Sequence, residues 1–372
     1  MQLPTWIRAR NLDAWAKSQA AKGLLPELIS RLVRATTPVT SLTECDFATE
    51  AEVHRPGYDG TTVSAAAGLY VPTGICYWEA GTGDPARKAE EDYQKRIAAH
   101  HAKVETGEVD DLTQVTFVAV TLRDWHDKKA VGKKGSAKGN AIRKRTQSVG
   151  LGGSKAWAKE KSKEGIFREV RAYDSKTLEQ WIQEAPAVGL WLARQLGVSV
   201  EGMRDIGSYW SDVQAALARP LSPEVLLVNR SQTADAFRNW ISEDAAELPV
   251  RAPSAAEVIA TFAAWVHTLP PKEADAISAR AVVVESRATW DGLSESLNAL
   301  ILIADPRLDA DNETFSRATR KGHHVLRYAD TRSSGRNSPL QLERMRRFDL
   351  QQVLRNSGLL SDVEAEQLAE AA

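Results

Sequence analysis

Two acids near the start of the chain stand where a sheet could hold them. Asp59 lies in Arg55-Pro56-Gly57-Tyr58-Asp59-Gly60, flanked by a turn and a glycine, so its carboxylate can project without crowding. Glu79 ends the β-prone run Gly74-Ile75-Cys76-Tyr77-Trp78, where a rigid strand would fix it in place. Carboxylates so arranged can hold Mg²⁺, which activates water and neutralises charge at a scissile phosphate. A nearby lysine orients that water or steadies the developing charge. Lys88 is the candidate, because the helix that follows the strand starts beside Glu79. Lys88, Asp92 and Lys95 are spaced by four and then three residues, so they share one helix face. Asp92 and Lys95 are candidates for an outer shell around the site, as is Glu27 on an earlier helix. Plainer readings stand beside these. Asp-Gly is favoured in hairpin turns on backbone grounds alone, Glu79 could be a solvated strand end, and the helix face could be an exposed salt-bridged one.

A second chemical feature is a basic stretch from Lys128 to Lys163, in which Glu160 is the only acid. Lys128, Lys129, Lys133, Lys134, Lys138, Arg143, Lys144 and Arg145 alternate there with several glycines, and Lys155, Lys159 and Lys161 follow. Such a segment reads as a flexible loop whose cations neutralise phosphates with sequence-independent, salt-sensitive affinity. Few aromatics interrupt it (Trp157 is the exception), which argues for a tether ordering on DNA rather than a base-reading element. A merely solubilising loop is the alternative.

These residues need elements to position them. Leu12, Trp15, Leu24, Leu25, Leu28, Ile29, Leu32 and Val33 recur at helical spacing over residues 10–35, with Gly23 and Pro26 predicting a break into two helices. Thr40–Phe47 and Glu52–Arg55 read as extended segments before the turn at Pro56–Gly60. After the strand ending at Glu79, Asp84 and Pro85 mark a helix start that carries on to about His101. Val115–Val120 and Phe167–Tyr173 are further strands, Asp174 opens the helix Ser175–Gln183, and an apolar helix Ala187–Leu196 closes the domain. The order predicts an α/β domain with a mixed sheet.

With the elements in place, the sequence resembles the PD-(D/E)xK, restriction-endonuclease-like nucleases. The resemblance is to their Mrr-like branch, found at the N-termini of STAND-type antiphage defence proteins. It is carried by the Asp59 segment, by Trp78-Glu79-Ala80-Gly81-Thr82-Gly83, and by Lys88-Ala89-Glu90-Glu91-Asp92-Tyr93-Gln94-Lys95-Arg96. Thr116–Thr121, Val170–Asp174, Leu178–Trp181 and Ala185–Val188 extend it over about half the chain. It implies a Mg²⁺- or Mn²⁺-dependent endonuclease on double-stranded DNA, largely indifferent to sequence, serving as the effector of a bacterial antiphage system. Asp59 and Glu79 would be the metal ligands and Lys88 the catalytic lysine. The family's lysine sits two residues after the strand acid, a place held here by Gly81, so it must arrive from elsewhere. Migration onto the following helix, known in the superfamily, would make it Lys88.

Residues 1–196 are thus expected to form the nuclease domain, 197–221 a connector, and 222–372 a second α/β domain. In the last, Val225–Val228, Leu248–Arg251, Ala281–Val284, Ala299–Ile303 and His324–Leu326 read as strands separated by helices, which predicts a parallel sheet covered on both faces. STAND-type proteins carry a nucleotide switch in this place, yet no G-x-x-x-x-G-K-[ST] loop is present. The strand-to-helix junction Val250–Glu257 carries instead a Ser254–Glu257 capping box. A degenerate P-loop-like or Rossmann-like domain with a regulatory or oligomerising role is expected. The strand ending in Ile303-Ala304-Asp305 could mimic an acidic Mg²⁺-binding strand, but without a phosphate loop an Asp-Pro turn at its end is favoured. Two alternatives from other classes are a catalytically inactive DNA-binding scaffold and a nucleotide-sensing switch. His100-His101 and His323-His324 lack partners at metal-ligand spacing and read as structural. Two cysteines, Cys45 and Cys76, exclude a disulfide scaffold and read as buried thiols of a reducing compartment. No apolar run reaches the ~18 residues of a membrane span, so the expected setting is cytoplasmic, as a homo-oligomer or within a larger defence complex.

Overall fold

The computed structural model describes residues 5–48, 57–104, 111–125, 153–217, 219–329, 339–356 and 360–371. Two units emerge, Ile7–Gln183 and Met1–Trp6 with Glu184–Ala372. Both are α/β. No helix among the described residues is long and apolar enough to cross a membrane.

The first unit runs α1 (Ala9–Trp15), α2 (Gln19–Thr36), β1 (Leu42–Phe47), β2 (Gly60–Ser64), β3 (Gly74–Gly81), α3 (Pro85–Val104), β4 (Thr116–Thr121), α4 (Gly153–Lys163), β5 (Glu169–Tyr173) and α5 (Ser175–Gln183). Its sheet keeps the order β1-β2-β3-β4-β5. The β1–β2 and β2–β3 pairs are antiparallel, and β3–β4 and β4–β5 are parallel. This is the mixed sheet the element order predicted. Alternation along β3 sends its side chains to two cores. Cys76 and Trp78 face one side, where the Trp78 indole donates to Thr62 Oγ1 at 2.9 Å and packs near Tyr173 and Trp181. Tyr77 faces the other, in a cluster with Ala89 and Tyr93 of α3 and Phe117 of β4.

Three expectations are corrected in this unit. Helix α2 passes through Gly23 and Pro26, and the break falls earlier, at Ser18, whose Oγ accepts from the Ala21 N–H at 3.1 Å. Burial of Leu25, Leu28, Ile29, Leu32 and Val33 on one face outweighs the roughly 3 kcal/mol that an interior proline costs a helix. Asp59-Gly60 is not a hairpin tip. Gly60 opens β2 opposite Phe47, and a Cβ on it would lie 2.2 Å from the Phe47 ring. The basic stretch is not loop throughout. Residues 153–163 form α4, with Trp157 buried and Lys161 held by Glu90 and Glu164, each at 2.9 Å. Lys128, Lys129, Lys133, Lys134, Lys138, Arg143, Lys144 and Arg145 lie outside the described residues, as do residues 52–55.

In the second unit α6 (Pro186–Gln195), β6 (Met203–Asp205) and α7 (Ile206–Ala215) precede a short 3₁₀ turn, Pro223–Leu227, and α8 (Ser231–Ser242). Then come β7 (Glu247–Arg251), α9 (Ala255–Thr268), α10 (Pro271–Ser278), β8 (Ala281–Val284), α11 (Arg287–Leu293), β9 (Ile301–Ala304), α12 (Asn312–Arg320), β10 (His324–Tyr328), β11 (Leu340–Gln341), α13 (Arg347–Asn356) and α14 (Asp362–Ala371). The sheet order is β11-β7-β10-β9-β8-β6, parallel except where β6 meets β8. The apolar strands predicted at 248–251, 281–284, 299–303 and 324–326 are β7 to β10. Val225–Val228 is no strand. Val225 and Val228 instead pack against Leu350 and Leu354, and a short apolar run has no period with which to say so.

The domain boundary also moves. Helix α6, expected to close the first domain, buries Ala187 and Leu190 among Met203, Val282 and Trp290 of the second unit, and the supposed connector supplies β6 and α7. An apolar helix fits any core, so its sequence could not say which. At the β7–α9 junction Ser254 Oγ does accept from the Glu257 N–H at 3.1 Å. The Glu257 carboxylate is taken by Arg230. Both cysteines are buried and neither forms a disulfide.

His323 has a structural task. Its ring is fully buried; Nδ1 accepts from the Leu300 N–H at 3.1 Å, and Nε2 faces the Ser294 carbonyl at 3.1 Å. An accepting Nδ1 requires the neutral ring, and burial, followed by nearby Lys321, holds the imidazole below its ordinary value. The unfolded chain protonates below about 6.5 and the fold does not. Stability from this group is therefore full above that pH and lost as pH falls through the lowered folded value, by up to about 1.4 kcal/mol per unit. Hydrogen exchange in β9 and β10, corrected for intrinsic rates, should accelerate between pH 7 and 5.5, and His323→Gln should remove that acceleration. A flat profile in the wild type would contradict a neutral buried ring.

Candidate active site

The acids are brought together by strand register. Gly60 pairs with Trp78, so one step outward sets Asp59 beside Glu79. The Ala48 N–H donates to the Asp59 carbonyl at 3.0 Å, and the Ala80 N–H donates to Asp59 Oδ2 at 2.7 Å, fixing backbone and carboxylate alike. Glu79 is 3% exposed and shares with Tyr77 and Gly81 the face of β3 covered by α3. Its Oε1 accepts from Arg96 Nε.

Helix α3 begins at once after the strand because Asp84 caps it, accepting from the Arg87 N–H at 3.0 Å. Lys88 therefore lies back over the end of β3, and its stem crosses Gly81. A Cβ at position 81 would sit 2.8 Å from Lys88 Cγ. Only a residue without a side chain leaves room at position 81 for the Lys88 stem to cross the strand end. One turn on, Asp92 accepts from Lys88 Nζ at 2.5 Å and is nearly buried. A small cleft is lined by Glu79, Gly81, Lys88, Asp92, Thr121 and Trp125.

The electrostatics follow from burial and crowding. Burial pushes the Glu79 carboxyl up to about 8, with Asp59 and Asp92 adding to the rise and Arg96 opposing it. Burial likewise raises Asp92, against the hydrogen bond from Lys88. Burial works to lower Lys88, but Asp92, Glu79 and Asp59 together hold it above the usual lysine value. Lys88 is thus an ammonium at neutral pH, able to donate hydrogen bonds and stabilise negative charge, not to take a proton.

The donor set suits a hard divalent cation. Asp59 Oδ1 and Glu79 Oε2 have no hydrogen-bond partner among the described residues. Mg²⁺ commonly binds through one or two carboxylates while keeping several waters. Among the described residues no three His, Cys, Asp or Glu side chains form a ready-made metal cage, so this would be a two-carboxylate site completed by water.

No protein-family model, curated protein or solved structure matches the chain.

The other sequence candidates fall outside this cluster. Glu27 pairs with Arg31 on its own helix at 2.9 Å, with no bond to Asp59 or Glu79. Lys95 is exposed. In its stead Arg96, which the sequence reading passed over, turns inward. Lys88, Asp92 and Arg96 form an unbroken series at spacings of four, a signal that was present. Spacing alone could not choose between adjacent Lys95 and Arg96, because both lie near the same helix face. Outside the cluster, the Ser154 N–H donates to the carbonyl of cleft-lining Trp125 at 3.2 Å. Trp125 and Ser154 are described residues on either side of 126–152, which lies outside the described residues.

Proposed function

We propose that the first unit is a Mg²⁺- or Mn²⁺-dependent endonuclease acting on double-stranded DNA, of the restriction-endonuclease-like kind. The observation that carries this reading is Lys88 crossing Gly81 to pair with Asp92 at a cleft that Glu79 also lines, within the electrostatic reach of Glu79 and Asp59. Asp59 and Glu79 hold the cation, which when bound supplies Lewis acidity and an activated water. Asp92 anchors Lys88. The Lys88 ammonium orients the attacking water or donates to a non-bridging phosphate oxygen as charge develops there. Glu79 in the interior of a sheet and Asp59 tied to the Ala80 N–H keep the carboxylates pre-set. The eight lysines and arginines between 128 and 145 supply sequence-independent affinity for phosphates. Double-stranded substrate, membership of an antiphage system and assembly into oligomers are carried over from the family resemblance, and the second unit would then regulate or assemble the effector.

A catalytically inert DNA-binding scaffold is favoured by one observation, the Arg96 guanidinium seated on Glu79. Plasmid nicking by the purified protein at low salt, with Mg²⁺, Mn²⁺ or EDTA, separates the two. Metal-dependent nicking that EDTA abolishes supports the nuclease. Salt-sensitive DNA binding with no nicking under any metal would favour the scaffold.

Gly81→Ala tests the Lys88 path within this reading. The added methyl must push the lysine stem aside, at little cost to folding because the neighbour is flexible. Misplacing a positioned group by about 1 Å can lower the rate on the order of 10²-fold. Nicking should fall accordingly with the melting temperature little changed. An unaltered rate would mean that the crossing of Gly81 is incidental.

A further inference from the structure

We infer that Arg96 is a positioning residue of this site: it ties together the two segments that carry the metal-binding acids and holds one oxygen of Glu79, leaving the other for a cation. The inference rests on the nuclease reading above.

Arg96 is one-tenth exposed and makes three different contacts. Nε donates to Glu79 Oε1, on β3. A terminal nitrogen donates to the carbonyl of Gly57, two residues before Asp59. The guanidinium lies 4.6 Å above the centre of the Tyr58 ring, which stacks at 4.0 Å on Tyr77 of the same strand. One planar cation therefore joins α3, which carries Lys88 and Asp92, β3, which carries Glu79, and the segment entering β2, which carries Asp59. A planar fork suits this task, since its donors point in fixed directions and its face accepts an aromatic ring. Because Oε1 of Glu79 is taken, the carboxylate cannot rotate freely, and Oε2 is the oxygen left for a cation. Partners that orient a metal ligand in this way typically change metal affinity 10- to 100-fold when removed.

The test is Mn²⁺ binding to the full chain, followed by electron paramagnetic resonance and calorimetry without DNA. The variants are Arg96→Met, Arg96→Lys and Lys161→Met. Lys161 serves as control because it too is a buried cation of the first unit, pairing with Glu90 and Glu164 away from the acids. Arg96→Met is expected to weaken Mn²⁺ binding at least about tenfold. Arg96→Lys should recover part of that loss, since an ammonium can reach Glu79 but cannot hold Gly57 and Glu79 in one plane. Lys161→Met should lower the melting temperature and leave Mn²⁺ affinity near wild type. Equal or tighter binding by Arg96→Met would overturn the inference, marking Arg96 as a competitor of the cation. Equal weakening in Lys161→Met would overturn it too, by reducing the effect to general destabilisation. Wild-type protein that binds no Mn²⁺ would remove the nuclease reading itself, and this inference with it.

Discussion

Asp59→Asn is expected to lose metal-dependent DNA cleavage by at least about 10³-fold while remaining folded. The loss is large because one of the two carboxylates proposed to hold the cation disappears, and with it the activation of water. The fold survives because the amide oxygen of asparagine can still accept the Ala80 N–H that Asp59 Oδ2 accepts at 2.7 Å. Nicking rate, melting temperature and Mn²⁺ affinity should therefore part company: the first and last collapse and the second holds within a few degrees. The charge change also removes one of the groups that push Glu79 upward, so the apo variant should be no less stable than the wild type above neutral pH. Cleavage at the wild-type rate by a folded Asp59→Asn would sink the proposed site outright.

Lys88→Ala is expected to lower cleavage by about 10²–10³-fold, the usual consequence of removing one charge-stabilising donor from an active centre, and to leave Mn²⁺ binding largely intact. The separation follows from the geometry. Lys88 contacts Asp92 and reaches the acids across Gly81, but is not itself a metal donor. Stability should fall as well, because Lys88 is the exposed member of the pair but its removal leaves the buried Asp92 carboxylate without that partner; the melting temperature must therefore be followed beside the rate. A second substitution sharpens the result. In the Lys88→Ala background, Gly81→Lys places a lysine two residues after Glu79, as in the nucleases that the sequence resembles, and the space it needs has just been vacated. Recovery of at least about tenfold over the single variant would show that the site requires an ammonium at this place and accepts it from either element. No recovery, alongside a full-rate Lys88→Ala, would assign the lysine to the helix surface alone.

Much of the first unit was legible because local chemistry and periodicity agree there. Asp84-Pro85 and Asp174 mark helix starts that the structure realises to the residue, and the apolar runs at 74–79 and 115–120 are β3 and β4 within two residues. Side-chain caps and unbroken apolar runs act over a few residues, so the sequence carries them directly. The same holds for the pairing of an acid-bearing strand with a lysine-bearing helix face.

What required the tertiary structure has one physical origin: it depends on which of several equivalent surfaces a long-range partner covers. The helix at 186–195 is apolar on so many sides that either core could take it, and the β6–β8 pairing decides for the second unit. Val225 and Val228 were bound to be buried, but only α13 determines that they are buried from a turn and not a strand. The choice of Arg96 over Lys95 was made by Glu79 and Gly57, far away in sequence, which offer a buried carboxylate and a carbonyl to one guanidinium. Gly81 is the clearest instance. In the sequence it is a missing lysine; in the structure it is the opening through which Lys88 arrives. By itself the sequence determined which residue types could do the chemistry and on which elements they ride. Packing across the sheet, which no local period encodes, decided which of them meet.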